Sequence, residues 1–415
     1  MRPRRRVLNG IDESRADRAD CPSPATLDEL RDAPRELHSR PVSDERDPTK
    51  PPLRIAIDAR AAAEVPAGRG RYVRELLRHL AGMDAPHAFV LYARTPWRDP
   101  ALDADPRFSW RIVSAGEPQW SALAAFHASR ECDVVLATNS YLLAALARIP
   151  AVATVFDLTP FRKDVVLPRG AAFERLTLPL AIRRAARLLP ISRATRDDLV
   201  ARFPRAAAKA VVVDLAADAA FAEDGPAVAP RYGLDKPYVL ALGTLEPRKN
   251  LPRLIEAFAG LAPDLRETHE LVLVGGAGWS TGDIDASIAR HRALVRPLGH
   301  VPDGDLPGLY REATVFAYPS LFEGFGLPVL EAMTAGTAVV TSNVSSLPEV
   351  GGDAVRYADP HDVASIGDAL EALLRDPSER ARLAAAARER ATLFSWDRTA
   401  RETLVLVEAA AGLTT

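Results

Sequence analysis

Along this chain, short apolar runs alternate with stretches in which apolar residues recur every three to four positions. From Leu53 the run LRIAID predicts a strand. A loop holding Gly68 and Gly70 follows, and Tyr72, Val73, Leu76, Leu77 and Leu80 then fall at helical spacing. Further strands are expected at 87–92, 132–136, 152–156, 188–192 and 211–213, with helical patterns such as 173–186 between them. Between 215 and 237 the sequence turns to Gly, Pro and small residues, which reads as a linker. The alternation restarts with strands at 238–242, 271–274, 314–318 and 338–341 and helices near 251–261, 304–313 and 327–335. From His361 onward the pattern is helical. It ends in FSWDRTARETLVLVEAA, where Asp397 is placed to cap a last amphipathic helix.

Alternation of this kind predicts parallel sheets covered by helices. The expected fold is α/β, with two Rossmann-like, doubly wound domains facing across a cleft. The expected bounds are 51–216 and 217–396, followed by a helix at 397–415 that packs back on the first domain. Ligands of such folds bind outside the carboxyl ends of the strands, so the chemistry is sought in those loops. Residues 1–50 lack hydrophobic periodicity and are expected to form a disordered tail outside the fold.

Charge and composition narrow the function. The chain has 53 basic and 55 acidic residues, and this balance gives no global positive field for nucleic acid. Its two cysteines, Cys21 and Cys132, form neither a disulfide framework nor a metal cluster, which fits a cytoplasmic location. The basic opening MRPRRR has no apolar segment behind it, so no secretory signal is expected. The apolar stretch 141–155 is interrupted by Arg148 and Pro150 and falls short of the roughly 20 residues a membrane span needs. The pattern at 173–189 sets Arg175, Arg183, Arg184 and Arg187 beside Leu and Ile. That suits a peripheral contact with an anionic membrane surface, or simply a half-buried helix with a solvated basic face.

The densest chemical signal is SLFEGFGLPVLEAMTAGTAVV, in which Glu323 and Glu331 bracket a glycine-rich turn. Gly324 and Gly326 permit close ligand approach, and Pro328 suits the first turn of a helix beginning near Leu327. The free N–H groups of such a helix start favour a diphosphate. Glu331, in the second turn, is better suited to accept from the hydroxyls of a ribose, and Glu323 to meet a transferred sugar. Upstream, YVLALGTLEPRKN brings Gly243 to a strand end and Arg248 and Lys249 to the loop after it, where two cations can stabilise a leaving nucleotide. Asn250 would cap the next helix. Taken singly, these features also fit a tight turn, solvated glutamates and a basic surface pair.

Taken together, GTLEPRKN, LVLVGGAGWS, GHVPDGDLPGLYREATVFAYPS, EGFGLPVLEAMTAGTAVV and SSLPEVGGDA resemble, in order and spacing, the motifs of the family-four retaining glycosyltransferases of the GT-B fold. The resemblance is continuous over about 236–400. Over 53–214 it rests on IDAR, GRGRYVREL and VATVFDLTP. It implies that Glu323 lies by the donor sugar, that Glu331 binds the ribose, and that Arg248 and Lys249 meet the diphosphate. Gly299, His300 and Val301 would lie beside the base. Gly243, Phe325 and Leu327 join the donor site with Gly324 and Gly326; Asp157, from the first domain, counts with Glu323, Arg248 and Lys249 among the catalytic residues, and Gly68 and Gly70 form the first domain's acceptor and phosphate loop.

The resemblance further implies a nucleotide-diphosphate sugar donor, GDP- or UDP-linked, with mannose or a related hexose. A glycan or lipid-linked acceptor of surface polysaccharide synthesis would receive it, by front-face attack without a protein nucleophile. No cofactor is expected. In this family a histidine usually precedes the aspartate of VATVFDLTP, and here that position is Phe156. Either packing replaces the sugar contact, or the donor lacks a hydroxyl there, or the chain is a silent binder within an assembly complex. The Asp-x-Asp pairs at 103/105, 283/285 and 303/305 match a metal-binding pattern, but Asp303 and Asp305 read better as cap and first-turn residues, so no essential metal is expected. A dehydrogenase would need a G-x-G-x-x-G after a strand, and VLVGGAGWSTG lacks its third glycine.

Overall fold

Among the described residues, twelve short strands, most of them runs of Val, Leu, Ile and Ala buried on both faces, form two parallel sheets. The structure is a computed structural model that describes residues 51–65, 68–162, 170–276, 278 and 281–413. The expected tail at 1–50 lies outside the described residues.

The first sheet contains β1 (Arg54–Asp58), β2 (Ala88–Ala93), β3 (Phe108–Ile112), β4 (Val134–Ala137), β5 (Ala151–Val155) and β6 (Arg187–Pro190), in the order β3-β2-β1-β4-β5-β6. The second contains β7 (Tyr238–Leu242), β8 (Glu270–Val274), β9 (Val295–Gly299), β10 (Val315–Tyr318), β11 (Val339–Ser342) and β12 (Arg356–Ala358), in the order β12-β11-β10-β7-β8-β9. Read from its first strand, each sheet grows three strands one way and then three the other. The order therefore reverses beside β1 in one sheet and β7 in the other, and ligands of doubly wound folds lie at such reversals.

Alternation along each strand sorts the core into layers. Ile55, Ile57, Leu136 and Val152 join Tyr72, Leu76, Trp396 and Leu404 on one face of the first sheet. Ala56, Val135, Ala153 and Val155 join Trp120, Ala124, Leu178 and Ile182 on the other. The former cluster continues without a break into Leu240, Phe316, Val329 and Met333 of the second half, so both sheets share one apolar layer. The helix Trp396–Ala410 packs on the helix Arg69–Gly82 and on β4, β5 and β6, and Thr399 Oγ1 donates to the Asp214 carbonyl at 2.6 Å.

Three strands have no counterpart among the sequence expectations: β3, β9 and β12. All are edge strands, two of them interrupted by arginine and one also by Pro297, and an edge needs only one bonded neighbour. The run at 211–213, expected as a strand, is instead extended chain. Its Val211 and Val213 N–H groups donate to Leu188 and Pro190 at 2.9 and 3.1 Å, but only Ala210 forms a bridge with β6.

Three expected caps are also corrected. Asn250 adopts a left-handed conformation; its side-chain amide donates to the Pro319 and Pro360 carbonyls and its oxygen accepts from the Arg253 guanidinium at 2.9 Å, so it accepts from no backbone N–H of the helix Leu251–Ala259. The last helix is capped by Ser395, with Asp397 in its first turn. Asp303 and Asp305 form a 3-10 turn before the helix Leu306–Glu312, and neither caps it with its side chain. In each case a tertiary partner or a better-placed hydroxyl outcompetes the local cap.

Candidate active site

β7 ends at Leu242, and Gly243 turns the chain at φ 144°, with Lys249 folded back against it. A Cβ on Gly243 would lie 3.2 Å from Lys249 Cε, so the missing side chain makes room for the lysine. Lys249 Nζ reaches Glu323 Oε1 at 2.8 Å and also donates to the Tyr318 hydroxyl at the end of β10. Arg248 grips the other Glu323 oxygen and the Phe322 carbonyl, and its second nitrogen binds buried Glu246. Burial opposes ionisation of Glu323, but Arg248 and Lys249 outweigh it and hold the carboxyl down at about 2. Burial and the neighbouring Arg248 push the Lys249 amine below its ordinary range, against the pull of Glu323 and Glu246.

The glycine-rich turn follows directly. Ser345 Oγ accepts from the Glu323 N–H at 3.0 Å, and Ser346 Oγ donates to the carbonyls of Glu323 and Phe325 at 3.0 and 2.8 Å. Gly326, at φ 108°, precedes the helix Leu327–Ala335, whose first turn holds Pro328. Glu331 lies one turn in and is 1% exposed. One of its oxygens accepts from the Tyr310 hydroxyl at 3.0 Å. The other pairs with Arg71, from the helix Arg69–Gly82 of the opposite half. Burial raises the Glu331 carboxyl above its ordinary range despite Arg71 and Tyr310.

The opposite wall begins where β5 ends. Phe156 packs edge-on against Tyr72 with ring centroids 5.3 Å apart, and the Arg69 guanidinium stands 5.2 Å over its ring. Asp157 accepts from the Thr159 N–H at 2.8 Å. Gly324 touches this wall: a Cβ there would fall 2.0 Å from the Phe156 carbonyl oxygen. The Gly324 carbonyl accepts from Ser192 and Thr195 hydroxyls at 2.7 and 3.0 Å. Glu349 of the second half accepts from the Arg193 N–H at 2.8 Å, at the start of the helix Arg193–Arg202 in the first.

A cleft of about 760 Å³ lies between the walls. It brings together Asp157, Gly68, Gly243, Arg248, Lys249, His300 and Val301 with Glu323, Gly324, Phe325, Gly326, Leu327 and Glu331. Gly70 and Gly299 do not line it. A Cβ on Gly70 would lie 1.7 Å from the Val65 carbonyl oxygen, so Gly70 serves helix packing. The Gly299 carbonyl is engaged by the Gly275 N–H at 2.8 Å. Sequence reasoning missed Arg71, Arg69, Glu246, Tyr310 and Tyr318. The available signal was GRGRYVREL, where two arginines follow a glycine at a helix start, but their partners are remote in sequence.

Chemically, paired cations beside a helix start suit a diphosphate, and the two buried carboxylates suit hydroxyls. Asp305 is engaged by Tyr232 and Arg231 at 2.6 and 2.9 Å, and Asp303 lies 3.5 Å from Arg71. Among the described residues, no group of three or more His, Cys, Asp or Glu side chains is arranged to hold a metal ion.

Comparison with known proteins is consistent along the chain. Residues 66–221 match the family model for Glycosyltransferase Family 4, and residues 229–390 that for Glycosyl transferases group 1. O-antigen chain mannosyltransferase B of Escherichia coli is 37% identical over 274 residues, covering 64% of this chain and 71% of the relative. The serotype-specific mannosyltransferase WbdA of Escherichia coli is 37% identical over 174 residues, which are 41% of this chain and 21% of that longer relative. Among solved structures, Anabaena Alr3699/HepE in complex with UDP-glucose superposes with a TM-score of 0.70 at 20% identity, covering 85% of this chain and 99% of that one.

Proposed function

This chain belongs to the group 1, family-four glycosyltransferases of the GT-B fold, and we propose that it transfers a hexose with retention of configuration and without an essential metal. The donor is a GDP- or UDP-linked sugar, with mannose or a related hexose favoured by the mannosyltransferase relatives. The acceptor is a growing glycan or lipid-linked saccharide.

The observation that carries this reading is the cluster of Arg248 and Lys249 on Glu323, eight residues ahead of Glu331 and next to a helix start open to the cleft. The diphosphate takes the helix start and the two cations, which stabilise the charge that develops as the nucleotide leaves. Glu331 accepts from the ribose hydroxyls, displacing Arg71, and Glu323 accepts from the sugar. The bond from the anomeric carbon to the phosphate oxygen breaks as the acceptor oxygen bonds to the same face. The acceptor's proton passes to a phosphate oxygen, so no side chain need act as nucleophile. Phe156 in the wall supports one other reading, a protein that binds the nucleotide sugar without turning it over.

The test is binding of UDP, GDP, ADP and dTDP in chelator, followed by transfer from the matching sugar nucleotides with the product anomer read by NMR. One preferred diphosphate and a retained anomer are expected. Binding without transfer to any acceptor selects the silent binder. No binding by a folded protein overturns both readings.

A further inference from the structure

The cleft is less positive than its lining suggests. Among the described residues, the arginine and lysine side chains along it are Arg69, Arg71, Arg248 and Lys249. Arg248 is fixed between Glu246 and Glu323, and Lys249 Nζ rests on Glu323 at 2.8 Å. These two cations meet two carboxylates, so the cluster is neutral before a diphosphate brings further negative charge to it. Arg69 does not make up the difference. Its partner Glu174, at 3.0 Å, is not part of the cleft lining, so a ligand in the cleft leaves that pair intact.

Arg71 differs because its partner is one that a ligand takes away. Glu331 lines the cleft and is the carboxylate read above as the acceptor for the ribose hydroxyls. Those hydroxyls replace the hydrogen bond that Arg71 makes, but not its charge. The Arg71 side chain is only 17% exposed and stands in the first turn of the helix Arg69–Gly82, a turn with no acidic residue. A cation at the positive end of a helix is unfavourable unless an anion faces it. Once the ribose holds Glu331, the described neighbours that remain are the Phe221 ring, 5.9 Å away, and the Asp303 carboxylate at 3.5 Å, which is 61% exposed and well solvated. The stronger anion is on the ligand itself. The helix Leu327–Ala335 begins one turn before Glu331, about 6 Å along the axis, which an arginine covers by turning about its own stem.

We propose that Arg71 changes partners when the donor binds, passing from Glu331 to the diphosphate at the start of the helix Leu327–Ala335. The exchange rests on the donor site as read above and adds to it a cation from the opposite half. In the empty cleft Arg71 joins the two halves through Glu331; with donor bound it joins them through the ligand. A nucleoside carries out only the first part, breaking the Arg71–Glu331 pair without offering an anion in return. A nucleoside diphosphate carries out both. Arg71 therefore makes the site discriminate between a ligand with its phosphates and the same ligand without them.

The experiment is calorimetric titration of the full chain with GDP and UDP, with guanosine and uridine read by competition, at alkaline pH to keep Glu331 ionised. Arg71→Gln is expected to weaken the preferred diphosphate at least about tenfold, while the matching nucleoside binds as well as before or up to about tenfold tighter. Arg71→Lys, which keeps the charge without the planar fork, should cost the diphosphate about two- to fivefold and the nucleoside nothing. Thermal melts establish that each variant is folded. If Arg71→Gln is not, Arg71→Lys decides: a loss confined to the diphosphate supports the exchange, and an equal loss of both ligands overturns it. Tighter binding of both ligands by Arg71→Gln also overturns it, because Arg71 is then only a plug in the ribose pocket. Affinities for both that fall together, or stay as in wild type, make Arg71 a fixed part of the wall and sink the exchange while leaving the donor site standing. A folded wild type that binds neither diphosphate is a different failure, since it overturns the donor site and the exchange with it.

Discussion

Glu323 and Glu331 lie eight residues apart on one loop and helix, both nearly closed off from solvent, yet their carboxyls shift in opposite directions. Glu323 receives two cations from its own half, Arg248 and Lys249, and they overcome the cost of burial. Glu331 receives one, Arg71, and that one comes from the other half. The first carboxylate is stabilised within a single sheet and its loops, whereas the second depends on the two halves being apposed. A buried charge thus reports how locally its partner is supplied.

The comparison can be broken most sharply at the self-contained end. Lys249→Ala or Glu323→Gln is expected to lower transfer by about 10²–10³-fold, measured as turnover at saturating donor. If Glu331 accepts from the ribose as proposed, Glu331→Ala should raise the donor KM about 10–100-fold and change kcat less. Arg71→Gln sharpens the contrast. Without its cation the Glu331 carboxyl rises further, so the pH below which nucleotide affinity falls should move up, and Glu331→Gln should abolish that step.

Stability against acid should separate the two as well. The Glu323 carboxyl is depressed from 4.5 to about 2, so its contribution is complete above 4.5 and is lost as pH falls toward 2. The raised Glu331 carboxyl works the other way, and its burial cost is relieved as pH falls through its folded value. Denaturant melts of Glu323→Gln should therefore show a flattened acid limb over that range, and those of Glu331→Gln should not. The smallest effect is expected at the wall: Phe156→His should shift preference between a hexose donor and its deoxy analogue by about 2–10-fold, read as a kcat/KM ratio.

What was legible in the sequence follows from the same distinction. Strands that are apolar runs announce themselves, so β1, β2, β4, β5, β6, β7, β8, β10 and β11 were visible, while the arginine-bearing edge strands β3, β9 and β12 were not. Glu323, Arg248 and Lys249 could be read because they belong to compact motifs at strand ends. Arg71 could not, because it meets Glu331 across 260 positions and nothing local marks it. Asn250 misled for a related reason: its type and position suit a cap, but two distant carbonyls claim its amide. The glycines divided similarly, since Gly324 and Gly326 line the cleft whereas Gly70 only lets two helical segments pack.

Gly324 leaves one more consequence. Its α-carbon stands where a methyl group would strike the Phe156 carbonyl at 2.0 Å, so the two walls meet at a point with no side chain between them. Any larger residue there is a doorstop. Gly324→Val should prop the jaws ajar while leaving Arg248, Lys249 and Glu323 in their own lower jaw. Small-angle scattering should then show a wider particle, and the nucleotide should dock without completing its reaction. One missing methyl group thus lets the two walls meet.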